Sequence, residues 1–167
     1  MQIMNMGNYA HGNQPIQHML YLYDWCGQPW KAQQRIREVM DKLYSSAPDG
    51  YCGDEDNGQT SAWYVFSSMG FYPVCPGSGE YALGTPLFKK MTVTLSDGKK
   101  IRIEAPSNSR KNFYVDALKV NGKKYDRNYV TMEQLKNGAE LIFDMSAAPN
   151  TRRGASEKSA PYPFSQE

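Results

Sequence analysis

The apolar positions of the chain change period once, and the change divides it. Up to about residue 70 they recur at helical spacing. Met19, Leu20, Tyr21, Leu22, Tyr23 and Trp25 are nearly continuous and predict a helix from Ile16 to Trp25 that is buried on most sides. Pro15 suits its first position, and Gly27-Gln28-Pro29 ends it. A second helix runs from about Trp30 to Tyr44. Ile36, Val39, Met40 and Leu43 form one face, with Lys31, Arg35, Arg37, Glu38 and Lys42 on or near the other. A third begins near Gln59 or Thr60, carries Ala62, Val65, Phe66 and Met69, and stops at Gly70. Three helices in succession suggest antiparallel helical hairpins.

Beyond Gly70 the texture is extended. Phe71 to Val74 reads as a strand and Pro76 to Gly79 as a joint. From Tyr81 the period is two: Met91, Val93 and Leu95, then Ile101 and Ile103, then Leu118 and Val120, then Leu141, Phe143 and Met145. Asp97-Gly98 and Asn121-Gly122 are hairpin turns. Thr131 and Gln134 are spaced as a capping box for one short helical turn. The predicted class is α+β, by segregation of helices from strands. Residues 1–76 form a helical segment, 77–150 an antiparallel β domain built as a small sandwich, and 151–167 a flexible tail rich in Ser, Pro and charge.

Composition narrows the function. The 167 residues suffice for one ordinary domain or two small ones. The net charge of +2 is spread without a basic block, which argues against a nucleic-acid partner. No run is long and apolar enough to span a membrane. The first residues, MQIMNMGNYAHGN, lack the basic-then-apolar order of a signal peptide. They lead straight into a motif, as a chain cut from a longer protein would. Cys26, Cys52 and Cys75 contain no CxxC spacing, so a zinc cluster is not indicated. Packing as reduced thiols is the expected state.

The candidate chemistry lies in GYCGDEDNGQTSAW, residues 50–63. Asp54, Glu55 and Asp56 sit between Gly53 and Gly58, just before a helix N-terminus, where amide groups and the helix dipole favour ionised carboxylates. Two carboxylates two residues apart can address one water or one cation. An EF-hand is excluded: counting from Asp54, the sixth residue is Gln59 and the twelfth Val65. His11, beside Gly12 and Asn13, is a better site candidate than His18. Tyr21, Tyr23, Trp25, Trp30, Trp63 and Tyr64 are expected mostly in the core, with one or two left to face a sugar. No histidine spacing supports a serine triad.

HGNQPIQH, GQPW and PDGYCGDEDNGQTSAWYVFSSMGFYPVCPG together resemble the C-terminal part of glycoside hydrolase family 92, calcium-dependent exo-acting α-mannosidases. The likeness continues through Tyr81 to Pro86 and from Met145 to Asn150. It implies that residues 1–76 are the end of an (α/α)6 catalytic barrel. It implies an inverting mechanism, with Asp56 on the base side and Asp54 assisting, and a general acid outside this chain. His11, Asn13, Gln14 and Glu55 become expected substrate contacts, and Asn13 and Gln14 expected Ca2+ ligands. Many members write Glu where this chain has Gln14. The implied substrate is a mannose-containing glycan, with α-1,2 linkages expected. The parent enzyme is expected to be periplasmic or extracellular. The chain alone is expected to be inactive, and to associate with the missing N-terminal part or with itself through exposed faces of the first two helices. The alternative is a non-catalytic carbohydrate-binding or structural module, in which the acidic loop is only a turn.

Overall fold

The computed structural model describes residues 7–163. Residues 1–6, the start of the expected helical segment, and 164–167, the end of the expected tail, lie outside them. The first helix is present over Gln14–Asp24, but as a 3₁₀ rather than an α-helix. Residues three apart eclipse in that winding. It stacks Gln17 on Leu20, and Tyr21 on Asp24, and all four are buried. Helix α1 (Pro29–Leu43) buries Ile36, Val39, Met40 and Leu43. Its apolar face is therefore not exposed, contrary to expectation. Large apolar side chains exposed on the first two helices are confined to Met19 and Leu22 of the 3₁₀ helix. Helix α2 (Gln59–Met69) starts after Gly58 and ends at Gly70, both in left-handed conformation.

The strands follow the alternating pattern. β1 (Phe71–Tyr72), β2 (Glu80–Leu83) and β7 (Tyr129–Thr131) form one antiparallel sheet in the order β1-β2-β7. β3 (Lys90–Thr94), β4 (Lys100–Glu104), β5 (Tyr114–Val120), β6 (Lys123–Lys124) and β8 (Ala139–Ser146) form a second, ordered β3-β4-β8-β5-β6. This sheet is mixed, not antiparallel as expected, because β8 pairs parallel to β4 from Ile101 opposite Ala139 to Glu104 opposite Ile142. Alternation specifies which side chains face inward, not the direction of the neighbour. β5 carries a bulge between Val115 and Ala117. The single turn α3 (Met132–Leu135) has the complete Thr131–Gln134 capping box.

Two apolar clusters result. Phe71, Leu83 and Val130 of the small sheet pack with Ile103, Leu118, Leu141 and Phe143 of the large one, which gives the sandwich its core. Leu20, Tyr21, Ile36, Val39 and Trp63 form the other. Strand β1 precedes the joint at 76–79 yet pairs with β2 beyond it. Buried polar links also cross. The Val115 N–H donates to Gln33 Oε1 at 3.0 Å, and Arg37 donates to Asn108 Oδ1 at 2.9 Å.

Through residue 163 the tail is packed rather than loose. The Asn128 main chain donates to the Ser159 carbonyl at 2.7 Å. The Asn128 side chain donates to the Gly154 carbonyl at 2.8 Å. Arg153 is buried close to the fully buried Asp24. Burial holds the Asp24 carboxyl well above the usual range, and the Arg153 guanidinium opposes that rise. Polar composition conceals this packing, because the contacts are made by backbone carbonyls and one arginine.

Candidate active site

Two loops meet at the acidic segment. The turn at residues 10–14 is closed by the Asn13 N–H donating to the Ala10 carbonyl at 2.9 Å. It presses against the segment at 52–54 by direct backbone contact. A Cβ built on Gly53 lies 2.7 Å from Gly12 Cα, and one built on Gly12 lies 2.9 Å from the Cys52 carbonyl oxygen. Only glycine at both positions permits that approach. The two loops border an open cavity of about 790 Å³, whose lining includes His11, Asn13, Gln14, Leu43, Cys52 and Asp54.

Gln14 bridges the loops. Its Nε2 donates to the Asp54 carbonyl at 2.6 Å and to Thr60 Oγ1 at 3.2 Å, while the Thr60 hydroxyl donates to the same carbonyl at 2.9 Å. An amide is required for the first of these bonds, because an ionised carboxylate has no proton to donate. Asn13 is exposed on the cavity rim.

His11 is buried at 2% exposure. Tyr9 Oη lies 2.6 Å from its Nδ1 and Tyr44 Oη 2.7 Å from its Nε2. The Tyr44 hydroxyl donates onward to the Thr60 carbonyl at 3.3 Å. Its own lone pair therefore takes the Nε2 proton, and Nδ1 accepts from Tyr9. The ring also meets Trp63 edge-on at 4.3 Å. Burial depresses the His11 pKa to about 4, so the imidazole is neutral at physiological pH. Of the six aromatics named in the sequence, Tyr21 and Trp63 are fully buried.

The three acids have three different situations. Asp54 lines the cavity. Asp56 sits exposed at the loop apex, and it is not among the cavity-lining residues. Asp56, Asn57 and Gly58 are consecutively left-handed, with φ of 50°, 55° and 99°, an arrangement residues other than glycine adopt at a cost. Glu55 is expected to bind substrate, yet its oxygens are engaged by the loop itself. Oε2 accepts from the Gly58 N–H. Oε1 accepts from the Ser61 N–H at 3.1 Å and from the Ser61 hydroxyl. The Ser61 hydroxyl bond, the Ser61 amide and the Gly58 amide together hold the Glu55 carboxyl below its ordinary range.

Among the described residues, no three or more His, Cys, Asp or Glu side chains are grouped to hold a metal. The oxygens offered on the cavity side, from Asn13, Gln14 and Asp54, are of the type a hard cation takes. They are fewer than the about six to eight it binds. Tyr9, Tyr44 and Thr60 were not singled out from the sequence. Tyr44 reads there as the end of a helix, and nothing in the spacing places it beside a histidine 33 residues earlier.

Residues 1–147 match the glycosyl hydrolase family 92 catalytic domain. The chain is 57% identical to a family GH92 inverting mannosidase of Bacteroides thetaiotaomicron, covering 97% of this chain and 22% of that one, with a TM-score of 0.90. A family GH92 α-mannosidase of the same organism, solved with mannoimidazole, is 45% identical over 95% of this chain and 21% of that one, with a TM-score of 0.93. An uncharacterized secreted glycosidase of Arthroderma benhamiae is 28% identical over 133 residues, which is 78% of this chain and 17% of that protein. The chain thus spans about a fifth of the length of these relatives. With glycine-locked loops, an acidic turn opening a helix, and a match over most of its length, the chain belongs to glycosyl hydrolase family 92.

Proposed function

We propose that this chain is the C-terminal part of an inverting, exo-acting α-mannosidase and carries the base side of its catalytic pair. The helices preceding residue 77 are then the last elements of an (α/α)6 barrel. The carrying observation is the acidic loop, which puts Asp54 on the cavity and Asp56 two residues further on, at the start of α2. In the proposed reaction the Asp56 carboxylate, assisted by Asp54, takes a proton from water as the water oxygen bonds to the anomeric carbon. The bond to the leaving oxygen breaks on the opposite face, and that oxygen is protonated by a carboxylic acid supplied from outside this chain. His11, locked in one tautomer by two tyrosines, Asn13 and Gln14 shape the wall that meets the mannose.

Calcium fits this wall in donor type but not in number. Asn13 and Gln14 would contribute neutral amide oxygens, and the remainder must come from outside them. When bound, the ion would draw adjacent sugar hydroxyls together. The substrate is a mannose-containing glycan, with α-1,2 bonds the expected linkage. The secreted relative supports a periplasmic or extracellular location for the parent enzyme. The isolated chain should be inactive. Its Met19 and Leu22, exposed at 46% and 41%, should meet the preceding part of the parent or a second copy.

The test is Asp56→Asn and Asp54→Asn in the full-length protein, with kcat on an α-mannoside and calorimetric binding of mannoimidazole. Loss of the base lowers kcat by about 10²–10⁴-fold while the inhibitor still binds. Wild-type rates in both variants would return the chain to a non-catalytic module.

A further inference from the structure

We infer that Glu55 is a positioning residue that holds Asp56 in place by clamping the left-handed turn between them and α2. The inference rests on the reading of Asp56 as the base. Three consecutive residues with positive φ do not persist unless surrounding structure over-determines them. Here the surroundings can be named. The helix opens on Gly58, which has no side chain to satisfy the first amides of α2. Glu55 takes over that duty from three residues upstream. One oxygen reaches the Gly58 N–H and the other the Ser61 N–H and hydroxyl, so its carboxylate spans the two residues, Asp56 and Asn57, that carry the unfavourable backbone.

The main chain adds two bonds across the same turn. Thr60 N–H donates to the Glu55 carbonyl at 3.1 Å, and Gln59 N–H to the Asp56 carbonyl at 3.2 Å. On the other side, the Asp54 carbonyl is pinned by Gln14 and Thr60. The loop is therefore tied down on both sides of Asp56, at Asp54 and Glu55 before it and at Gly58 to Ser61 after it, while Asp56 itself has an exposed side chain. That is the arrangement of a preorganised reactive group on a fixed support. Of the three adjacent acids, the middle one serves the backbone and leaves its neighbours for chemistry.

The test pairs kinetics in the full-length protein with amide exchange in the chain itself. Glu55→Ala is expected to lower kcat by about 10²-fold, the scale of a misplaced reactive group, with KM little changed. Glu55→Gln keeps one acceptor oxygen and should recover part of the rate. In the chain itself, Glu55→Ala should speed exchange at the Gly58 and Ser61 amides by about tenfold or more, the worth of one charge-assisted hydrogen bond, while the α1 amides keep their protection. Wild-type kcat in Glu55→Ala, or unchanged exchange at both amides, overturns the inference. A kcat loss accompanied by lost protection in α1 overturns it too, because the effect is then global. Asp56→Asn separates the two readings. If it is inactive while Glu55→Ala matches wild type, only the positioning inference fails. If Asp56→Asn retains full rate, both fall.

Discussion

Replacing Gly53 by alanine tests whether the two loops of the candidate site are locked by contact alone. Gly53 is not among the residues with positive φ, so alanine meets no backbone penalty there. The cost must come from space. The added methyl would lie 2.7 Å from Gly12 Cα and 2.9 Å from the Gly12 carbonyl oxygen, against about 3.4 Å for ordinary contact. The backbones must part by about 0.7 Å, and neither is the loose end of a side chain. Overpacking of this kind costs about 1–3 kcal/mol, which for a chain of this size lowers the melting temperature by roughly 2–4 °C per kcal/mol. Gly58 and Gly77 are the controls. Nothing lies within 4 Å of a Cβ at either position. Gly58 has φ of +99°, so Gly58→Ala should cost about 1–2 kcal/mol by backbone strain. Gly77→Ala should be neutral or stabilising by up to about 1 kcal/mol. Urea denaturation of the three variants, with m-values to confirm a common unfolded state, reads out the ranking. Gly53→Ala as stable as Gly77→Ala would refute the steric lock.

Acid should weaken the fold through His11. Its folded pKa of about 4 lies below the ordinary histidine value of 6.5, so only the unfolded chain takes up the proton between those values. Stability is full above about 6.5 and falls toward pH 4 by about 3 kcal/mol; His11→Phe should flatten that part of the pH–stability curve. Gln33→Ala strands the buried Val115 N–H and should cost about 1–3 kcal/mol, read as a lower denaturation midpoint. Deleting residues 151–167 removes two carbonyls bound by the fully buried Asn128. The loss should be roughly 2–6 kcal/mol; a truncated chain that melts with the intact one would show the tail to be dispensable.

Much of this architecture is legible in the sequence, and particular residues show why. α1 and α2 were legible because their apolar residues keep one period and Pro29, Gly58 and Gly70 punctuate them. Asn121 and Gly122 both take positive φ, as the dipeptide demands. Thr131 and Gln134 were legible as a pair because the capping box is local. What escaped was non-local or chemically degenerate. The partner of β8 lies 38 residues upstream at Ile101, and nothing in a strand's own alternation names it. The tight winding of Gln14–Asp24 escaped because a helix apolar on most sides has no face to betray its pitch. At the site, the cluster of acids was visible but not their division of labour. Asp54 lines the cavity, Glu55 accepts from Gly58 and Ser61, and Asp56 stands exposed on a left-handed turn. Nothing in three adjacent acids announces those separate surroundings.

The position of β8 has a consequence for synthesis. The last strand among the described residues lies in the middle of the larger sheet, between β4 and β5. Until the ribosome has released it, the hairpin of β3 and β4 and the hairpin of β5 and β6 each present a bare inner edge with no seam between them. Such edges recruit foreign strands, so a nascent chain stalled before residue 139 should be the species most in need of a chaperone.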